Sequence, residues 1–188
     1  SLDSLGMQAN DGSDTPALSA DGRYVAFQSY ASNLVPVDTN AGWDVFVRDR
    51  QTGQTRRVSV DSAGVEANNW SLQPAISADG RYVAFQSYAT NLVAGDTNGW
   101  PDVFVHDLQT GQTSRVSVDS AGARGIAASE DPALSSDGRY VVFSSGSSNL
   151  VPGDTNQRSD IFVHDRQTGQ TTRASVDSAG AQGNDNSR

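Results

Sequence analysis

Asp21-Gly22-Arg23-Tyr24-Val25 returns as Asp79-Gly80-Arg81-Tyr82-Val83 and again as Asp137-Gly138-Arg139-Tyr140-Val141, 58 residues apart each time. Other strings keep the same step. Asp-Thr-Asn begins at Asp38, Asp96 and Asp154, and Gln-Thr-Gly-Gln-Thr begins at Gln51, Gln109 and Gln167. Residues 1–58 and 59–116 agree at 40 of 58 positions, and 59–116 and 117–174 agree at 35, with no insertion between them. Residues 175–188 start a fourth copy. Self-similarity at a fixed step of this length marks one supersecondary unit repeated along the chain.

Each unit reads as four short strands. Pro16–Ser19 is a short apolar stretch before the tight turn Ala20-Asp21-Gly22. Arg23–Ser29 is rich in β-branched and aromatic residues, and Asp44–Asp49 is a third strand. The Gly-containing turn Gln51–Gln54 leads into Thr55–Val60, which is polar and Arg-bearing as an outer edge strand should be. No stretch holds a 3.6-residue apolar period, so no helix longer than a turn is predicted. Four antiparallel strands repeated at fixed spacing predict an all-β fold, a β-propeller with three four-stranded antiparallel blades. The predicted divisions are 1–14 (an incoming outer-strand end and connection), 15–62, 63–120 and 121–178 (three blades), and 179–188 (an outgoing connection).

The run Ser19-Ala20-Asp21-Gly22-Arg23-Tyr24-Val25-Ala26-Phe27, followed by Asp44-Val45-Phe46-Val47-Arg48-Asp49, resembles the TolB-type, WD-repeat-like propeller blade. The match recurs at Asp79 with Asp102 and at Asp137 with Asp160, so it spans nearly the whole chain. The resemblance implies a six-bladed ring and favours a periplasmic or secreted setting, although no targeting segment is visible. The chain departs from the family in its longer connection Tyr30–Trp43 and in carrying no attached catalytic domain.

Composition closes off several functions. The chain has 188 residues, 22 acidic against 13 basic side chains, and a formal charge of −9. The acids are 20 Asp and 2 Glu, and every basic residue is Arg. Such a balance offers no basic stripe to nucleic acid. No apolar run approaches the roughly 18 residues of a membrane span. With no Cys there is no disulfide, thiol nucleophile or cysteine metal site. Most Asp residues are a few turn and strand-end positions repeated in every unit, so the charge records turns more than a cationic partner.

Three blades do not close a ring, because propellers have about 4–8 and each blade buries its faces against two neighbours. Two copies joining as 3 + 3, a homodimer completing a six-bladed ring, would cover both open ends. The alternative is a fragment, natural or engineered, of a longer propeller, a reading to which Ser1 in place of an initiator Met also points. Ser1-Leu2-Asp3-Ser4 matches Ser59-Val60-Asp61-Ser62, and Ser175–Arg188 matches the start of a unit, so each terminus carries part of a blade-to-blade connection.

Strand order puts the short turns on one face and the long connections, 61–73 and 88–101 in the second unit, on the other. Differences between units gather in those connections, and all three Trp (Trp43, Trp70, Trp100) fall there. With Asp11, Asp14, Asn69 and Glu130 they form a candidate recognition surface for a glycan, peptide or protein. The competing reading has each Trp capping the core between blades. A second candidate is a Ca²⁺ site in each Asp-Thr-Asn loop: Asp38, Asn40 and Asp44; Asp96, Asn98 and Asp102; Asp154, Asn156 and Asp160. Oxygen ligands at alternating positions suit a hard cation; the competing and favoured reading is an Asx-turn whose last Asp anchors the next strand. His106 and His164 stand beside Asp107 and Asp165, but Arg48 holds the position in the first unit and nothing unique converges there. They are expected to be structural, as is the Asp21–Arg23 pair. The expected function is a non-catalytic binding or scaffolding module that self-assembles into a ring and needs no cofactor. The alternatives are a carbohydrate-binding lectin-like propeller, with or without Ca²⁺, and a half-propeller assembly unit or engineered fragment with no ligand of its own.

Overall fold

The computed structural model describes residues 1–187. Their regular elements are twelve strands: β1 (Ser13–Leu18), β2 (Tyr24–Ser29), β3 (Asp44–Asp49), β4 (Thr55–Arg57), β5 (Ser71–Ile76), β6 (Tyr82–Ser87), β7 (Asp102–Asp107), β8 (Thr113–Arg115), β9 (Ser129–Leu134), β10 (Tyr140–Ser145), β11 (Asp160–Asp165) and β12 (Gln170–Arg173). They form three four-stranded sheets, each pairing its strands in chain order, antiparallel throughout. The architecture is that of three propeller blades. No helix among the described residues is long and apolar enough to cross a membrane.

The strand limits differ from the sequence reading at both edges of a blade. The innermost strand starts at Ser13, not Pro16, because the register slips between Asp14 and Ala17 and pairing resumes beyond it. The same bulge recurs between Leu72 and Ala75 and between Val142 and Ser144 opposite β9. Pro16 has no N–H to offer a ladder, and a bulge leaves that position unpaired. The outermost strand ends at Arg57, and Val60 forms an isolated bridge with Glu66 inside the connection.

The core lies between blades. Ala26, Val45, Val47 and Val58 of the first blade pack on Val83, Phe85, Ala89, Leu92 and Phe104 of the second. Ala84, Val103, Val105 and Val116 of the second meet Val141, Phe143, Leu150 and Phe162 of the third. Each blade thus has one face of small and β-branched side chains and one face with two stacked Phe, their centroids about 6 Å apart. Tyr24 lies over Gly80 of the next blade, and Tyr82 over Gly138, so closely that a methyl group at either glycine would collide with the ring. Ala20 N donates to Ala78 O and Ala78 N to Ser136 O, both at 2.9 Å, linking the three turns in series.

The end faces hold the same residues without a neighbour. Leu18 is 58% exposed on β1, and Ser13 and Pro16 are exposed where Ser71, Pro74, Ser129 and Pro132 are buried. At the far end Val142, Ile161 and Val163 are half-buried and Ala174 is exposed, although the matching Ala84, Val103, Val105 and Val116 are at most 2% exposed.

Candidate functional site

The Asp-Thr-Asn loops come to lie beside the outermost strand, and an arginine sits among their carboxylates. Arg57 on β4 reaches Asp38 at 3.0 Å, Asp44 at 3.2 Å and Glu66 at 2.5 Å, with its side chain only 6% exposed. Arg115 lies 3.5 Å from Asp96 and 3.1 Å from Asp102, and Arg173 lies 3.4 Å from Asp154 and 3.6 Å from Asp160. Asp44 also accepts from Ser59 Oγ at 2.6 Å and from Asn40 Nδ2 at 3.1 Å. Asn40 Oδ1, an expected cation ligand, instead accepts from Gly42 N at 2.8 Å. Asn98 and Asn156 repeat this, serving Trp100 N and Arg158 N. Asp38, Asp44 and Glu66 bring oxygens within 4.8 Å of one another, and the guanidinium supplies the positive charge that such a group needs.

Burial pushes Asp44 up to about 6 against the opposing pull of Arg57 and Ser59, and it raises Asp38, Asp96 and Asp154 as well. Burial works the same way on Glu66, but bonds from Thr39 and the charge of Arg57 outweigh it and lower that carboxyl. These arginines were read from sequence as part of an exposed edge. Strand alternation sends Arg56 outward and Arg57 inward, and recurrence at Arg57, Arg115 and Arg173 was the signal for the inward role.

The tryptophans lie in the long connections of the first two blades. Trp43 is half-buried and meets Tyr30 edge-on at 5.8 Å. Trp70 lies against Gly42, where a Cβ would stand 2.6 Å from its Cδ1, yet stays 47% exposed. Tyr88 bonds through its N–H to Trp70 O and is 38% exposed, and Trp100 is 54% exposed. The matching positions of the third blade are Ala128, Gly146, Arg158 and Ser159, so no aromatic ring stands there. Asn69 is exposed, its Oδ1 holding Trp70 N at 2.8 Å. Asp11 caps Gly12 N at 2.7 Å. Asp14 and Glu130 belong elsewhere. Both lie in innermost strands, not loops, because those strands begin earlier than expected, and Asp14 lines a cleft of about 380 Å³ on the open face of the first blade.

At the bulge of each innermost strand the chain takes a left-handed turn at a residue other than glycine: Thr15 (φ 45°), Gln73 (φ 53°) and Asp131 (φ 55°). These three and the prolines after them line a shared hollow, and Gln73 Nε2 donates to Asp131 Oδ1 at 2.6 Å. The preceding blade fastens the second and third of these bulges. Gln28 Oε1 accepts from Gln73 N at 2.8 Å, and Gln86 Oε1 accepts from Asp131 N at 3.3 Å.

On the opposite face, His106 Nδ1 is 2.8 Å from Thr113 Oγ1, whose own proton goes to Val60 O. His106 is therefore the donor, neutral at Nδ1–H, and burial presses it down to about 4; His164 is lowered for the same reason. Arg23 does not pair its side chain with Asp21. Its guanidinium forks onto Asp49 at 3.0 and 2.7 Å, while Asp21 accepts from Ser19 Oγ and Arg23 N. Arg81–Asp107 and Arg139–Asp165 repeat the fork. It holds Asp49, Asp107 and Asp165 well below the usual carboxylate range.

No protein-family model and no curated sequence matches the chain. Solved structures do. TolB from Acinetobacter baumannii is similar over 91% of this chain at 21% identity, with a TM-score of 0.54. The β-propeller domain of the trilobed protease from Pyrococcus furiosus is similar over 88% at 16% identity, also at 0.54. An oligogalacturonate lyase in complex with manganese is similar over 89% at 16% identity, at 0.55. The chain spans 34% of that TolB and 43% of each of the other two. At these identities the likeness establishes the fold, three TolB-like propeller blades.

Proposed function

We propose that the chain is a non-catalytic propeller module that closes a ring with a second copy of itself and offers its long-connection face for recognition. The observation that carries this reading is a contact made twice inside the chain and left half-made at each end. Tyr24 covers Gly80 and Tyr82 covers Gly138, whereas Tyr140 is 39% exposed and Gly22 has only Arg50 near it. Arg50 already holds Gly22 O at 2.7 Å, the pose in which Arg166 holds Gly138 O and stacks 4.2 Å from the Tyr82 ring. Tyr140 of one copy would enter between Gly22 and Arg50 of the other. The Val142, Ile161 and Val163 face would then cover Val25, Phe27 and Phe46, as its counterparts do within the chain. Exposed apolar faces of this kind mark interaction surfaces.

The expected particle has twice the 19.8 kDa chain mass, measured by light scattering. Tyr140→Asp should return it to a single chain with unchanged circular dichroism. A wild-type chain that stays single at all concentrations overturns ring closure. Lack of catalysis accords with His106 and His164 being spent on threonine hydroxyls, and turnover against a hydrolase and lyase substrate panel would overturn it.

A second reading, carbohydrate binding, is favoured by the half-exposed rings of Trp70, Tyr88 and Trp100 in the long connections and by Asn69 next to Trp70, since flat rings flanked by amides suit sugar faces. Trp70→Ala and Trp100→Ala should each abolish binding on an oligosaccharide array, and an assembly unit with no ligand would show none to lose. Neither reading needs Ca²⁺, because Arg57, Arg115 and Arg173 stand where the cation would. Neither Ca²⁺ nor EDTA should move the melting temperature.

A further inference from the structure

The chain has three blades but four copies of one connecting segment: residues 1–12, 59–70, 117–128 and 175–186. All four fold alike. Asp3, Asp61, Asp119 and Asp177 each accept two backbone N–H groups, two and four residues ahead. The bridges Leu2–Gln8, Val60–Glu66, Val118–Arg124 and Val176–Gln182 then close each turn.

The two interior copies grip both neighbouring blades. Towards the blade behind, Asn40 Nδ2 donates to Ala67 O at 2.9 Å and Ser71 N to Trp43 O at 2.7 Å. Towards the blade ahead, Thr113 N donates to Ser62 Oγ at 3.0 Å, Thr113 Oγ1 to Val60 O at 2.5 Å and Asn91 Nδ2 to Glu66 O at 2.8 Å. The terminal copies have half of this each. The first grips only the blade ahead, through Ser4 with Thr55, Leu2 O with Thr55 Oγ1 and Gln8 O with Asn33. The fourth grips only the blade behind, through Gly183 O with Asn156, Ser187 N with Ser159 O and Gln182 with Thr155 and Arg173.

Resting on ring closure as its premise, we infer that these two segments compete for a single track at the junction between copies. The N-terminal segment of the incoming copy wins it, and residues 175–187 of the other are displaced. Two features set the direction. Gln8 occupies the position of Gln182, so it can make the same bonds to Thr155 and Arg173 of the partner. Arg48, in place of the histidine of the other blades, adds bonds to Leu2 O at 3.1 Å and Asp3 O at 2.8 Å, two contacts with the blade ahead that no other copy has. The fourth segment thus lies on the docking edge as a built-in competitor of assembly.

One chemical change at two equivalent positions tests this in the full chain. Asp177→Ala loosens the competitor and should tighten dimerisation about tenfold, or about 1.4 kcal/mol, by sedimentation equilibrium. Asp3→Ala loosens the winner and should weaken dimerisation by a similar factor. Hydrogen exchange should find residues 176–187 protected in the single chain and open in the dimer. Equal dimerisation of wild type and both variants leaves the ring standing and overturns the competition. Tighter dimerisation by Asp3→Ala reverses its direction and overturns it too. A chain that never dimerises, in wild type or variant, overturns the ring and this inference with it.

Discussion

Arg57 shows what one side chain does when three carboxylates close around it. Breaking a buried ion pair from one side costs about 3–5 kcal/mol, because the charges left behind have no solvent. Arg57→Ala, which strands Asp38, Asp44 and Glu66, should fall in that range by urea denaturation, and Arg56→Ala, on the outward side, should cost well under about 1 kcal/mol. Protons act on the same scale. Buried His106 takes a proton only near pH 4 when folded but at the ordinary 6.5 when unfolded, so its stabilisation is present above 6.5 and is lost as pH falls towards 4. Asp49, Asp107 and Asp165 sit below their unfolded value of 3.8, and their contribution goes as pH falls through that value. Asp44 runs the other way. It is raised to about 6, so stability from it is complete below about 3.8 and declines as pH rises through 6. His106→Asn should therefore flatten the loss of stability between pH 6.5 and 4 and leave the steeper fall below pH 4 intact.

The repeated element was legible wherever a motif sits in its own local structure. The Asp-Gly turn, the third strand at Asp44–Asp49 and the Gly53 turn follow from residues adjacent in sequence. The bulge before each innermost-strand proline was not legible, because it places a residue other than glycine in a left-handed turn, and at Gln73 and Asp131 its fastening comes from Gln28 and Gln86 of another blade. The inward arginines were hidden for the same reason: Arg57 and Glu66 meet Asp38 only after the connection folds back. The Asp-Thr-Asn element offered oxygens, and nothing local revealed that an arginine 19 residues further on would meet them. Glycines separate conformation from contact at this scale. Gly111 and Gly80 both have φ near +74°, but Gly111 has open space around it and Gly80 lies under Tyr24. Gly111→Ala should cost about 1–2 kcal/mol of backbone strain alone. Gly80→Ala should cost more, the excess reporting the Tyr24 contact, and Tyr24→Ala should remove that excess in a double-mutant cycle.

For the whole molecule, the repeat told the architecture and the open ends told the problem, because both need only a period and a count of blades. Which residues would meet at the proposed junction needed coordinates, since Tyr140 and Gly22 are 118 residues apart and unremarkable by type. If the end faces meet as the inner ones do, stability should depend on concentration. The unfolding midpoint should rise with protein concentration in wild type and stay fixed in Tyr140→Asp.

Ser144 stands where the other blades have Gln28 and Gln86, and it turns back to Glu130 O at 3.3 Å, out of reach of the next bulge. Both inner joints carry that side-chain amide clasp; in the proposed ring the joint between copies would lack it. Such a ring of two chains would therefore be scored along one diameter. Diluted or pulled, it should split into two intact halves before any blade peels away, a particle that comes apart and re-forms without unfolding.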